Sequence, residues 1–371
     1  MKTVHFAKPG KLHGVLRNRT SDRLDKAGVP RHGGLRIILK TLVILTLLVG
    51  SYVGLVFYAS EAWHALLLGF LLAHALVLVG FNIMHDGGHG AYSNKKWVNR
   101  LAGRALDLIG GNQTLWRYKH GVLHHTYTNL SELDDDLDGG TLIRMHRDQP
   151  HRPWHRFQAY YALPVYSLLA IHWVVSDFSE YFGGKVGGHE LKTKRDPADI
   201  AIFLGFKVLF FLLSFVIPMT RHEPWVVLVT WTAIMLVVGF FLALVFQLAH
   251  VVDGVEFPEP LADPEGGPAR LQDEWVFHQL KTTADFAPNS RFLRWYTGGL
   301  NYQVEHHLFP RTSHVRYPLL QPVVKQTCEE FGAPYHCYPT LMSAVRAHVR
   351  QLHSLGKNPA EEEVLAGASA S

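Results

Sequence analysis

Cysteine is nearly absent from this chain. Only Cys328 and Cys337 occur in 371 residues, both late, and they form no CxxC pair. A disulfide framework therefore does not hold the fold, and thiolate ligation of a metal has no support. The first 35 residues lack the short apolar core and small-residue cleavage site of a signal peptide. They are polar and basic, with Lys2, Lys8, Lys11, Arg17, Arg19, Arg23, Lys26 and Arg31, and read as a cytosolic arm. No basic stripe interleaved with stacking aromatics appears outside the hydrophobic blocks, so the net charge of +5 suits a membrane surface and excludes a nucleic-acid footprint. No internal repeat is present.

What the chain does have is apolar residues gathered into blocks long enough to span a bilayer. The first runs from about Leu42 to Ala59 and the second from about Trp63 to Met84, joined at Ser60 and Glu61 by a turn without Lys or Arg. By the positive-inside rule the arm is cytosolic and that turn lies outside. A third span is expected over about Ile200 to Met219 and a fourth over about Trp225 to His250, joined by Arg221, His222, Glu223 and Pro224. The block Phe157 to Val175 is also apolar. A crossing there would put the histidine clusters described next on opposite faces, so it is assigned to the interface, interrupted by Pro164 and marked by Tyr160, Tyr161, Tyr166 and Trp173. The expected architecture is all-α, with four transmembrane helices, one interfacial segment and a cytosolic helical cap. Residues 1–35 form the arm, 36–355 the membrane domain with its cap, and 356–371 a disordered tail.

Among the 24 histidines, three clusters stand beside apolar blocks: His85 and His89 in HDGGH, His120, His124 and His125 in HGVLHH, and His306 and His307 in QVEHH. Residues four apart project from one face of a helix, one turn apart. A lone HxxxH at a helix end is usually a cap or a surface pair. Three such clusters in one membrane protein point to a metal centre enclosed by several helices, because imidazole is the commonest neutral metal ligand near physiological pH. Imidazole serves iron, zinc, copper and nickel alike, so the ligand set alone leaves the metal open.

The series HxxxH, HxxxHH, QxxHH, in that order among those apolar pairs, resembles the membrane-bound fatty acid desaturases. The resemblance covers about Leu42 to Pro318, and HHTYTN and QVEHHLFP are its most specific parts. Gln303, which opens the last box, is similar to front-end (delta-5 and delta-6 type) enzymes, whereas stearoyl-type enzymes have His there. The resemblance implies two non-haem iron ions held by histidines on the cytosolic side, and oxygen-dependent removal of two hydrogens from an acyl chain. It also implies an external electron donor, a ferredoxin or cytochrome b5, since the arm is too short for a fused cytochrome b5 domain and contains no HPGG. The active site would face the cytosol, at a bacterial inner membrane or the endoplasmic reticulum. The acyl carrier, whether coenzyme A, a lipid or a carrier protein, stays open.

Seven histidines are few for two irons. His250 ends the fourth span in FQLAHVVDG with Gln247 one turn earlier, and is expected as an eighth ligand with Gln247 beside it. An amide is a poor iron ligand, so Gln303 is expected to hold a water or leave one iron more open. Asp86, tethered between His85 and His89, is expected to accept the free N–H of a ligand imidazole, and the run Glu132, Asp134, Asp135, Asp136, Asp138 to be mostly solvated with one or two such carboxylates. His74 lies roughly 16 Å from His85 along a helix and is expected to bond another helix. His278 reads as structural, and Lys207 as snorkelling toward the cytosolic surface. A di-iron acyl or alkyl hydroxylase, a zinc-dependent membrane hydrolase and a non-catalytic haem carrier are the alternatives to a desaturase.

Overall fold

A computed structural model describes residues 4–191, 196–264 and 266–357. From residue 358 onward the expected disordered tail lies outside the described residues. Four helices are long and apolar enough to cross a membrane: Leu35–Tyr58, Ala62–His89, Pro197–Met219 and Pro224–His250. A helix satisfies every backbone donor and acceptor within the segment, which an apolar solvent demands. Pro197 and Pro224 stand in the first turns, where a missing N–H costs nothing. The second span is the central one, with 61% of its most apolar stretch buried against 17% for the first and third spans. Its Leu72, Val77 and Phe81 pack against Ile234, Met235, Val238 and Leu242 of the fourth.

The first span starts seven residues earlier than hydropathy suggested. The extension carries Arg36 and Lys40, and Lys40 is accommodated because it is buried with its Nζ 3.1 Å from His314 Nε2. The second span runs past its expected end and carries the first histidine pair on its last turn. The block around Phe157 is not one segment. It forms two helices, Pro153–Tyr166 and Leu169–Gly183, bent by 79°. Pro164 lies inside the first of these, and the chain turns just after it. Tyr160 is exposed while Ala162, Tyr166 and Ala170 are buried. The fourth span approaches this bend closely enough that a side chain at Gly239 would meet the Ser167 carbonyl.

Lys207 does not snorkel. Its side chain is buried in the third span, with Nζ 2.7 Å from Asp177 Oδ2 and 2.7 Å from the Gly110 carbonyl. An available carboxylate and a carbonyl settle an ammonium more cheaply than a stretched path to the surface.

The cap lies at the end of the second and fourth spans. The N-terminal arm is built into it: Val4–His5 pairs in parallel with Ala269–Arg270, and the helix Lys11–Lys26 lays Leu12, Leu16 and Leu24 on the cluster that includes Leu320, Val324 and Cys328 of the helix Tyr317–Phe331. A second parallel pair, Ala284–Phe286 with His336–Tyr338, ties the last part of the chain back beneath the third histidine box.

Candidate metal centre

The first box is a one-turn helix, His85–His89, following a π-helical stretch, Val79–Met84. Its two glycines are there for closeness. A Cβ at Gly87 would lie 2.4 Å from the Gly103 nitrogen, and one at Gly88 would lie 2.2 Å from the Trp116 ring. The second box also sits on a π turn, Lys119–His124, between Gln113–Tyr118 and His125–Tyr127. The wider π turn brings residues four apart nearly into line, and the rings of His120 and His124 stack at 5.1 Å. The third box lies on the short helix Gln303–Leu308.

These pieces meet. Ring nitrogens of His85, His89, His120 and His306 lie within 4.8 Å of one another; so do those of His124, His250 and His307, and those of His125, His306 and His307. Every histidine of the three boxes is in this assembly, and His250 joins it from the end of the fourth span.

The tautomers can be read from the outer contacts. His307 Nδ1 donates to Gln279 Oε1 at 2.8 Å, His250 Nδ1 to the Thr282 carbonyl at 3.3 Å, and His124 Nδ1 to both oxygens of Asp134 at 3.1 Å. His306 Nδ1 stands 3.1 Å from the Tyr317 hydroxyl. With Nδ1 engaged outward, Nε2 carries the free lone pair. Nε2 of His85, His89, His124, His250, His306 and His307 is buried and has no hydrogen-bond partner. Buried unpartnered nitrogens are costly, and several converging on one spot fit a metal better than anything else a protein interior offers.

Burial, reinforced by neighbouring imidazoles, pushes His120, His125, His306 and His307 well below the usual histidine range, which keeps them neutral and able to ligate. His124 differs. Burial pulls it down, but Asp134 and Asp136 outweigh that and raise it to about 9. A metal cation at Nε2 would take the proton's place in the field of those carboxylates.

A cavity of about 980 Å³ opens beside the cluster, bounded near it by Trp116, His120, Phe246 and Gln247 and farther off by Tyr166, Leu169 and Trp173. Its lining is mixed: Leu168, Leu169, Ile171 and Phe246 are apolar, whereas Lys119, Asp135, Asp138 and Glu180 are charged.

Comparison with known proteins agrees with this chemistry. The fatty acid desaturase family matches residues 61–339. The chain belongs to that family. The desaturase is 35% identical over 358 residues, 96% of its length and 95% of the relative's, to a sn-1 linoleoyl-lipid 6-desaturase of Arthrospira platensis. A protein of the same name from Synechocystis is 34% identical over 95% of the chain and 98% of the relative. An acyl-lipid (8-3)-desaturase of Physcomitrium patens is 38% identical over 86% of the chain and 66% of the relative. The protein is thus an enzyme of fatty acyl desaturation, an oxidoreductase of lipid metabolism, and these relatives are named as lipid 6- and (8-3)-desaturases.

Around the desaturase's histidines, some sequence-predicted residues fall elsewhere than expected. Asp86 does not turn to the imidazoles beside it. Its carboxylate accepts from Ser313 Oγ at 2.6 Å and faces His314 Nδ1 at 3.0 Å, because the segment after the third box packs directly over it. The carboxylate that does orient a box histidine is Asp134, from the acidic run after the second box. Gln247 donates to the Asp136 carbonyl at 3.2 Å, which braces the carboxylate facing His120 and His124. Gln303 is buried with both side-chain polar atoms unpartnered. His74 meets the Tyr296 hydroxyl of another helix, as expected, and His278 belongs to none of the histidine groups.

Sequence reasoning missed Gln279, Tyr317, Thr282 and Asn129. Asn129, held at φ 58°, donates to the carbonyls of His250 at 2.8 Å and Glu256 at 3.1 Å. Its place in HHTYTN was the available signal. The buried Glu305 inside the third box faces Asp285 through the Tyr335 hydroxyl, a network that no local pattern announced.

Proposed function

We propose that this desaturase is a front-end enzyme acting on acyl chains of membrane lipids, with two non-haem irons held by His85, His89, His120, His124, His125, His250, His306 and His307. The unpartnered, converging ring nitrogens carry this reading. His85, His89, His120 and His306 would serve one ion and His124, His250 and His307 the other, with His125 between them. Iron in such a site supplies the oxygen activation that an unactivated methylene requires.

The chain's own residues do the rest. Asp134, Gln279, Thr282 and Tyr317 fix the rings from outside, so that the ligand set need not reorganise during turnover. The apolar side of the cavity, with Leu169, Ile171 and Phe246, would hold the acyl chain beside His120 and Gln247, so the position of the new double bond follows from how far the chain can slide. Gln303, with no protein partner, would hold a water molecule next to the ligands.

Forming one double bond releases two electrons, while reducing dioxygen to two waters consumes four. Two electrons and two protons must therefore come from outside, from a ferredoxin or cytochrome b5 that reaches the cap on the cytosolic face. The basic arm and the turn at Ser60 and Glu61, which has no Lys or Arg, support that sidedness. The test is expression in a host of defined fatty acids, with lipid classes separated before analysis. New double bonds near the carboxyl end should appear in lipid-bound chains without prior appearance in the coenzyme A pool. Hydroxylated chains instead would reject desaturation.

A further inference from the structure

The short helix Lys96–Gly103 follows the first histidine box and is tied to the membrane spans on both sides. Just before it the Tyr92 hydroxyl meets Thr41 Oγ1 of the first span at 2.8 Å, and just after it the Arg104 guanidinium stands 5.9 Å from the Phe206 ring of the third. Its buried side is small: Ala102 packs with Ile44, Leu78, Val79 and Ile83 of the first two spans. The other side is open. Trp97 is 63% and Leu101 66% exposed, and Lys96 and Arg100 are exposed next to them. Residues four apart share a face of a helix, so this one presents two neighbouring stripes, one apolar and one basic.

A Trp and a Leu beside basic residues, where a membrane span has just ended, suit a helix lying in the bilayer interface with its apolar stripe among acyl chains. Charge then selects the lipid. From Gly87 to Leu106 the chain holds Lys95, Lys96, Arg100 and Arg104 and not one Asp or Glu. Arg104 is engaged by Asp107 at 3.5 Å, but no carboxylate among the described residues pairs with Lys95, Lys96 or Arg100. Cations without a counter-charge at the interface are complementary to an anionic membrane surface. An acidic soluble partner would answer the basic stripe alone, whereas a lipid answers both.

The far end of the helix bears on the metal centre. Gly103 packs backbone to backbone on Gly87, which lies between His85 and His89, and the Gln113 amide closes on Gly103 from the start of the helix that leads to the second box. Neither glycine has room for a Cβ, so a shift of the helix is passed to the boxes. We propose that Lys95, Lys96 and Arg100 bind the phosphate of anionic lipids in the leaflet on the cap side, and that lipid bound there steadies the first box through Gly103. The steadying rests on the histidine groups holding iron, as proposed above; the lipid site does not.

The full-length enzyme and a Lys96→Gln/Arg100→Gln variant, changed only at exposed positions, are reconstituted in phosphatidylcholine vesicles with or without phosphatidylglycerol. Quenching of Trp97, taken as the difference from Trp97→Phe, should be stronger with brominated phosphatidylglycerol than with as much brominated phosphatidylcholine. The double variant should lose that preference, by roughly fivefold for each cation removed. An equal preference in the variant, or none in the unaltered enzyme, overturns the lipid site. So does a variant that keeps its lipid preference and instead needs more added ferredoxin for half-maximal turnover, which would make the patch a dock for the electron donor. Iron retention is read without turnover. A chelator should strip iron more slowly from the unaltered enzyme when phosphatidylglycerol is present, and at one rate from the variant in both membranes. Iron loss that ignores phosphatidylglycerol in the unaltered enzyme overturns the steadying of the box. Protein that shows the lipid preference but never holds iron rejects the iron reading and supports the lipid site.

Discussion

The side-chain amide of Asn129 donates to the carbonyl of His250 at 2.8 Å. This bond couples the end of the second box to the end of the fourth span, and it sits where the helix leaves its last carbonyls unpaired. On the other side of the same residue, the His250 ring stands 4.6 Å from His124. The two boxes of ligands are thus held together by an amide that touches no ring.

Asn129→Ala should destabilise the protein by roughly 1–3 kcal/mol, since buried carbonyls lose their donor. Iron should be retained less well, with His124 and His250 no longer in register. Thermal unfolding in detergent and metal analysis of the same preparation check this; a variant with unaltered melting and iron content contradicts the coupling.

His250→Ala should abolish desaturation and lower bound iron while the protein stays in the membrane. An interfacial anchor is replaceable at small cost, whereas a lost ligand opens a coordination position. His74→Ala, which removes a half-buried ring bonded to Tyr296 within the second span, controls for general damage. Near-normal iron and turnover in the His250 variant would sink its assignment as a ligand.

Asp134→Asn should weaken metal binding by about 10- to 100-fold, the usual effect of losing a carboxylate behind a ligand imidazole. Asp138→Asn, also in the acidic run but with no bond to a box histidine, should leave affinity as it was. Competition with a chelator of graded strength separates the two. Equal losses in both variants would mean that the charge of the run matters and the contact with His124 does not.

Sidedness can be read by labelling. In a background without the exposed Cys337, single cysteines at the exposed positions Asn94 and Arg311 should react only after the cytosolic face is opened, and one at Thr220 should react from outside. Ser313 would be a poor reporter because it is buried against Asp86. Labelling of position 311 from outside would require the bent pair to cross the membrane.

Electron supply gives the last test. The purified enzyme with NAD(P)H alone should be inactive, and adding a reduced ferredoxin or cytochrome b5 should restore turnover. Turnover without any carrier protein would contradict the external donor.

The sequence by itself determined the spans, the three boxes, their order and the family, because apolar length and the spacing of histidines along a helix are local properties. It also singled out His250, since an ionisable group at the end of a membrane span is conspicuous. It misjudged residues whose partners are remote in sequence. Lys207 looked like a charge at the margin of a span and is buried against Asp177. Asp86 looked like a partner for its neighbours His85 and His89 and is taken by Ser313 and His314. Only the tertiary structure decided which carboxylate, amide or hydroxyl stands behind each imidazole, and where a cavity opens beside them. Those choices depend on distances between elements far apart along the chain, and no periodicity encodes them.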